Sequence, residues 1–348
     1  MKPSKKHLRV LVTGASGTVG RQVVTQLIGE QKIDVVVFDR ETRDARRFFH
    51  QFSGRLQVYF GDIGNKKEVL PACKNLDAVI HLAALIPPEA DEKPGLAKRV
   101  NVTGTVNLVQ ALNFYSPEVF FLYSSSISVY GDRLQNPWIK TDDKLVPCER
   151  DYYAKTKLEA EKLIQENVAH WTIFRLTAIM GPGNHGASPL MFHMPLETKL
   201  EICTPEDAAR AFVLALDYQK ELGHRIFNLG GGPSCRMTYR EFIKRSFAIS
   251  GLGRPDFKPG SFAEKNFHCG YYADGDKLED TLHFRRHSAD DYFEALKRSI
   301  SPFRKSLTRM LRPFIIKRLQ NMSEPYRAFR ENNREDMAYF FQSTNPKS

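Results

Sequence analysis

The chain has 348 residues, 42% of them hydrophobic and 26% charged, and carries a formal net charge of +11. That length calls for one large α/β domain with extra elements, or for two domains, and the composition excludes a disordered or collagen-like chain. No run approaches the roughly 18 continuous apolar residues of a membrane span. The five cysteines, Cys73, Cys148, Cys203, Cys235 and Cys269, lie too far apart for a disulfide framework or a zinc site and fit a reducing cytoplasm.

Before Gly14 stands a basic leader with only a strand-length apolar run, which fits a strand and not a secretion signal. Buried-strand runs follow at Leu8–Thr13, Asp34–Asp39, Leu56–Phe60, Ala78–Leu82, Val119–Tyr123 and Thr172–Leu176. Between them lie helical patterns at Val19–Ile28, Arg43–Phe52, Lys66–Cys73, Leu96–Tyr115 and Tyr152–Val168. The alternation predicts an α/β fold, a doubly wound parallel sheet of the Rossmann kind. After Leu176, Gly181, Pro182, Gly183, Pro189 and Pro195 interrupt the chain; a helix from Glu206, a strand at Arg225–Leu229 and a helix at Tyr239–Ser250 come next. The expected organisation is a dinucleotide-binding unit over 1–180, to which 199–230 returns. A small substrate-binding subdomain from 181–198 and 231–300 follows, then a helical basic tail over 301–348.

TGASGTVG, Thr13–Gly20, joins the first strand to the first helix. Gly14 permits the tight turn, Gly17 the approach of a pyrophosphate and Gly20 close helix packing. The N–H groups around Ser16, Thr18 and Val19 face an anion together with the helix dipole. No Lys-Ser/Thr pair ends the loop, which disfavours nucleotide hydrolysis. Asp39 ends the second strand, placed to accept from adenosine ribose hydroxyls; a carboxylate there favours NAD, while Arg40 and Arg43 leave NADP open.

Tyrosine titrates near pH 10, but Lys157, four residues after Tyr153, favours its phenolate. Tyr153 can then take a proton from a substrate hydroxyl as hydride leaves. Tyr152 lacks a lysine at that spacing. Ser124, Ser125 and Ser126 end the fifth strand, and the residues alone leave open which of them faces the substrate.

In order, TGASGTVG, Asp39, GDI (Gly61–Ile63), HLAA (His81–Ala84), NVTGT (Asn101–Thr105), YSSSISVYG (Tyr123–Gly131) and YAKTK (Tyr153–Lys157) resemble the extended short-chain dehydrogenase/reductase superfamily. The likeness is to its NAD-dependent epimerase/dehydratase type, over about residues 8–250 with a weaker likeness near Ala273–Phe284. It implies catalysis by Ser126, Tyr153 and Lys157, with Lys157 also binding the nicotinamide ribose and Asn101 supporting that lysine through water. By the same resemblance Asp62 and Ile63 border the adenine, Leu82, Ala83, Ala84 and Ser124 line the cofactor cleft, and a homodimer forms through Leu96–Tyr115 and Tyr152–Val168.

Ile127 and Ser128 stand where dehydratases of this superfamily place a carboxylate, so elimination is disfavoured. The substrate segment is short. Arg236 and Arg285 are its candidate diphosphate clamps, with no arginine in Phe257–Tyr272. Met191, Phe192, Met194 and Leu196 suggest an apolar pocket or, alternatively, subdomain core. The leading expectation is NAD(P)-dependent hydride transfer between the cofactor and a secondary alcohol or ketone. A nucleotide-sugar epimerase is the alternative, and a non-catalytic cofactor-binding or membrane-associated protein the third reading. His185, His193 and His268 lack metal-ligand spacing and read as surface or pocket-rim residues.

From Lys297 to Arg330, ten basic residues face the single acid Glu324, so nine of the eleven net charges sit there. Phe303, Leu307, Met310, Leu311, Phe314, Ile315, Leu319 and Met322 recur at helical spacing, with a break near Pro313 and a second helix from Ser323. Such a tail packs on the protein or a partner subunit, or lies on an anionic membrane surface through 303–322; nucleic acid is disfavoured because no stacking surface accompanies the charge. The expected location is cytoplasmic, peripheral to a membrane if the tail docks there.

Overall fold

Seven strands form a wholly parallel sheet: β1 (Leu8–Thr13), β2 (Ile33–Asp39), β3 (Leu56–Phe60), β4 (Ala78–His81), β5 (Phe120–Ser126), β6 (His170–Leu176) and β7 (Arg225–Leu229). The computed structural model describes residues 7–183, 188–254 and 256–343. The strand order is β7-β6-β5-β4-β1-β2-β3, so the winding reverses between β1 and β4 and opens a crevice at their carboxyl ends.

Successive strand residues serve opposite cores, which is why each strand reads as an unbroken apolar run. Val10, Val12, Val35, Val37, Ile80, Leu122 and Phe174 meet helices α1 (Thr18–Gly29) and α2 (Arg43–His50) on one face. Leu11, Val36, Phe38, Val79, Phe121 and Ile173 meet α3 (Gly104–Tyr115) and α4 (Tyr152–Asn167) on the other. Helix α5 (Pro205–Ala215) completes the first face, its Ala208, Ala211 and Phe212 joining that core.

The predicted helix Leu96–Tyr115 is divided. A short turn at Pro94–Lys98 leads into a π-helical segment at Arg99–Thr103 before α3 begins. The predicted Lys66–Cys73 helix loses its regularity at Leu70, where Pro71 removes a donor and a 3-10 turn takes over.

A second sheet pairs Arg236–Thr238, Lys199–Cys203 and Ala178–Ile179. Lys199–Cys203 therefore does not return to the main sheet with 205–229; its pairing with Arg236–Thr238, distant in sequence, holds it outside. Over this sheet lie α6 (Tyr239–Ser250), started by a Thr238–Glu241 capping box, and α7 (Ala289–Ser299). Their shared core contains Phe192 and Met194, so these two side chains are packing residues and not the lining of an apolar pocket.

The tail forms four helices, α8 (Pro302–Met310), α9 (Arg312–Met322), α10 (Glu324–Arg330) and α11 (Arg334–Phe340). Its first part projects, but Leu319, Ala328, Met337, Phe340 and Phe341 are buried, so the latter half belongs to the body and is not a loose appendage. Residues 1–6 and 344–348 of the expected outer units, and His185, lie outside the described residues. Among the described residues no helix is long and apolar enough to cross a membrane. All five cysteines are buried and free.

Candidate active site

Gly14 leaves β1 with φ of +66°, and a Cβ there would lie 2.7 Å from the Ala83 backbone. At Gly20 a Cβ would lie 2.3 Å from the Gly14 carbonyl oxygen, so glycine alone lets α1 start this close to β1. Gly17 is the N-cap of α1 and supplies no capping side chain, leaving the first-turn N–H groups of Thr18, Val19 and Gly20 uncapped. Asp39 Oδ2 accepts from the Ser16 N–H at 2.6 Å and Oδ1 from the Arg40 N–H at 2.7 Å, which ties the loop to the end of β2. Arg40 and Arg43 are exposed beside it. This cradle, with uncapped amides and an adjacent carboxylate, fits a dinucleotide.

The other expected cofactor contacts border the same crevice. Asp62 Oδ1 accepts from Gly64 N–H at 2.8 Å, and its other oxygen pairs with Arg99. Ile63 is buried, its carbonyl accepting from Asn107 Nδ2 at 3.0 Å. Leu82, Ala83 and Ala84 are half-buried just past β4, where the Leu82 N–H donates to the Thr13 carbonyl at 3.2 Å.

Helix α4 carries Tyr153 and Lys157 one turn apart, and Asp151 caps it by accepting from the Ala154 N–H at 2.7 Å. Tyr152 is exposed, with Lys155 over its ring, whereas Tyr153 faces inward. Lys157 Nζ donates to the Ser124 carbonyl at 2.7 Å and lies 4.8 Å from the Tyr123 ring centre and 5.6 Å from that of Tyr153. Burial pulls the Lys157 ammonium down from 10.5 to about 7, against the upward pull of Glu161. Burial pushes the Tyr153 phenol well above its ordinary value; the Ser126 hydroxyl within hydrogen-bonding reach opposes this, and Asp151 and Asp91 add to it.

The three serines part company here. Ser125 Oγ donates to the buried Glu161 at 2.5 Å, Ser124 uses its carbonyl for Lys157, and only the Ser126 hydroxyl stands beside Tyr153. Asn101, turned inward by the π-helical segment, accepts from the Leu85 N–H at 2.7 Å and donates to Thr156 Oγ1 at 2.9 Å. It braces the residue next to Lys157 and does not touch the lysine itself.

Sequence reasoning missed two groups. The first is Glu161 with Arg175 of β6, a charge inside an otherwise apolar strand that required a buried partner. Tyr153, Lys157 and Glu161 follow at four-residue spacing, so an inward-facing acid was readable in the helix pattern. The second is His81, whose ring nitrogens meet Thr13 Oγ1 at 2.6 Å and Thr105 Oγ1 at 3.0 Å. Burial, then Lys157, lowers its pKa from 6.5 to about 3, so the ring is neutral. Thr105 donates its hydroxyl proton to the Asn101 carbonyl at 2.6 Å, and therefore His81 Nε2 donates while Nδ1 accepts from Thr13.

Both candidate clamps have partners within the protein, although Arg285 Nη2 is left without one among the described residues. Arg236 is held by Glu201 (2.8 Å) and the Tyr272 carbonyl (2.8 Å), between the Trp138 and Tyr271 rings. Arg285 is held by Asp276 and, through Nε, by the Gly230 carbonyl at 2.9 Å. His193 pairs with Glu324 and His268 with Asp151, at 2.9 and 3.0 Å.

The family model for the NAD dependent epimerase/dehydratase family matches residues 10–230. The chain is 31% identical over 160 residues to CDP-paratose 2-epimerase of Salmonella typhi, covering 44% of this chain and 47% of that protein. It is 30% identical over 162 residues to the decarboxylating sterol-4-alpha-carboxylate 3-dehydrogenase of Mus musculus, covering 46% and 41%. The chain spans about half the length of the curated relatives it matches. The structure of UDP-glucuronic acid 4-epimerase from Bacillus cereus, in complex with UDP-glucuronic acid and NAD, shares the fold. Its TM-score is 0.70 at 21% identity, over 86% of this chain and 100% of that one.

Proposed function

The chain belongs to the NAD dependent epimerase/dehydratase family, and from that we propose that it transfers hydride between NAD and a secondary alcohol or ketone by a Ser126–Tyr153–Lys157 mechanism. The observation that carries the reading is Tyr153 and Lys157 one turn apart, with the Ser126 hydroxyl within reach of the phenol.

When bound, oxidised NAD supplies the hydride acceptor. The Gly14–Gly20 loop and the start of α1 would hold its pyrophosphate, Asp39 its adenosine ribose and Lys157 its nicotinamide ribose. Tyr153 Oη takes the substrate hydroxyl proton as the carbinol carbon gives up its hydride, which leaves a ketone; reduction runs the same transfers backwards. Ser126 Oγ holds the substrate oxygen. Burial keeps the phenol protonated; the Ser126 hydroxyl favours the phenolate, and on this reading the Lys157 ammonium one turn away adds to that. Asn101, through Thr156, keeps this turn of α4 in place.

Net oxidation or reduction is the favoured outcome because the substrate segment is short and poor in arginine, and Arg236 is already held by Glu201 and the Tyr272 carbonyl. The second reading is epimerisation, supported by the nucleotide-sugar epimerases among the relatives. Mass spectrometry of any nucleotide retained on the purified protein tests both. Tightly held NAD speaks for an epimerase, which restores its cofactor within each turnover. A site that exchanges NAD freely, with NADH accumulating on an alcohol, speaks for a dehydrogenase; failure to bind any nicotinamide nucleotide overturns the proposal.

A further inference from the structure

Helix α8 is mounted with its apolar side outward. Phe303, Leu307, Met310 and, just into α9, Phe314 follow at spacings of four, three and four residues, which places them on one stripe. That stripe faces solvent: Phe303 is 78% exposed, Met310 68% and Phe314 75%. The side turned to the body is polar. Lys305, Thr308 and Arg312 are half-buried there, and Arg312 Nε donates to the Leu252 carbonyl at 2.7 Å. A helix stabilised by its own body would be turned the other way, since burying apolar side chains is what holds an amphipathic helix to a core.

Arg304 and Arg309 flank the stripe, and Lys317 and Arg318 extend the exposed charge along α9. None of these four has an acidic partner among the described residues. Between Ser299 and Ser323 the sequence contains no acid at all.

We propose that α8 and the start of α9 are a docking face for an anionic lipid bilayer. The Phe303–Leu307–Met310–Phe314 stripe enters the headgroup–acyl boundary, and Arg304, Arg309, Lys317 and Arg318 meet lipid phosphates and carboxylates. Both halves of the feature are used. A second copy of the chain fits less well, because a two-fold contact through this stripe would bring unpartnered cations against themselves. Nucleic acid would engage the charge and leave four large apolar side chains in water.

The test is co-flotation of the full chain with vesicles of phosphatidylcholine, with and without phosphatidylserine. Binding is expected only with phosphatidylserine, weakening as salt shortens the screening length from about 10 Å at 0.1 M to about 3 Å at 1 M. The double variants Phe303→Ser/Phe314→Ser and Arg304→Glu/Arg309→Glu alter exposed positions, so circular dichroism should stay unchanged while partitioning falls at least about tenfold in each. No binding by the unaltered chain, or equal binding to both vesicle types, overturns the proposal. So does a dimer that Phe303→Ser/Phe314→Ser dissolves without any vesicle binding. RNA binding that survives this variant, in a chain that ignores vesicles, overturns it in favour of nucleic acid.

Discussion

Arg175 presents its guanidinium fork to Glu161, Nη2 to Oε2 at 2.7 Å and Nε to Oε1 at 3.0 Å, with both side chains 3% exposed. Glu161 also accepts from Ser125, and Arg175 Nη1 donates to Tyr130 Oη at 2.8 Å, so β5, β6 and α4 are joined under the turn that carries Tyr153 and Lys157. Removing one partner strands a buried charge. Glu161→Gln is expected to cost about 3–5 kcal/mol in denaturant unfolding, and adding Arg175→Met should recover part of that loss. Strictly additive losses would mean that the two side chains do not act as a pair.

Tyr153→Phe removes only the hydroxyl. Turnover should fall about 10²–10⁴-fold while NAD titrates as before, because the phenol holds a proton and not the cofactor's phosphates. Steady-state assays and fluorescence titration separate the two effects, and retained turnover would rule out Tyr153 as the base.

Lys157 makes stability depend on pH. Its folded value of about 7 lies below the ordinary 10.5, so the unfolded chain binds the extra proton between those values. Stability therefore rises with pH across that window, and the burden of the buried ammonium is fully present below about 7. Lys157→Met should gain more in Tm at pH 6 than at pH 9, at the expense of catalysis. A difference independent of pH would show that Lys157 is not held in a desolvated site.

His81 acts in a lower window. Folded near 3 against 6.5 unfolded, it favours the folded state above pH 6.5 and withdraws that contribution as pH falls towards 3. A neutral replacement such as His81→Gln should flatten the acid limb of the stability curve while lowering stability at pH 7, because the Thr13 and Thr105 hydroxyls lose their bonds to the ring.

Two glycines of α1 should respond oppositely. Gly20→Ala puts a methyl 2.3 Å from the Gly14 oxygen and is expected to cost about 1–3 kcal/mol and to abolish NAD binding. Gly29→Ala meets nothing within 4 Å and should raise stability by about 0.4–1 kcal/mol. Thermal melts of the two variants give the comparison directly.

The main sheet was legible because strands buried on both faces leave uninterrupted apolar runs, and because the glycine loop and Asp39 fall at element ends. The edges were less so. β5 runs on through Ser124–Ser126, residues of poor strand propensity held by pairing with Phe174–Leu176. The residues singled out around Tyr153 are brought together by the fold, but Glu161 and His81 escaped notice because partnership in a buried network is a property of several distant segments. The tail shows the same limit. α8 and α11 carry similar apolar spacing, and which stripe is covered depends on what the body offers opposite it, Ala263 and Phe329 for one and, among the described residues, nothing for the other.

Where α11 docks also bears on how the molecule comes apart. Arg150, next to the cap of α4, pairs with Glu335 and Asp336 at 3.0 Å each, Tyr339 Oη donates to the Glu149 carbonyl at 3.1 Å, and Asn266 donates to the Tyr339 carbonyl at 2.6 Å. One short helix thus laces the sheet-bearing part to the smaller one. Heating should then find no seam along which either part melts first, and calorimetry should show a single transition with matching calorimetric and van't Hoff enthalpies.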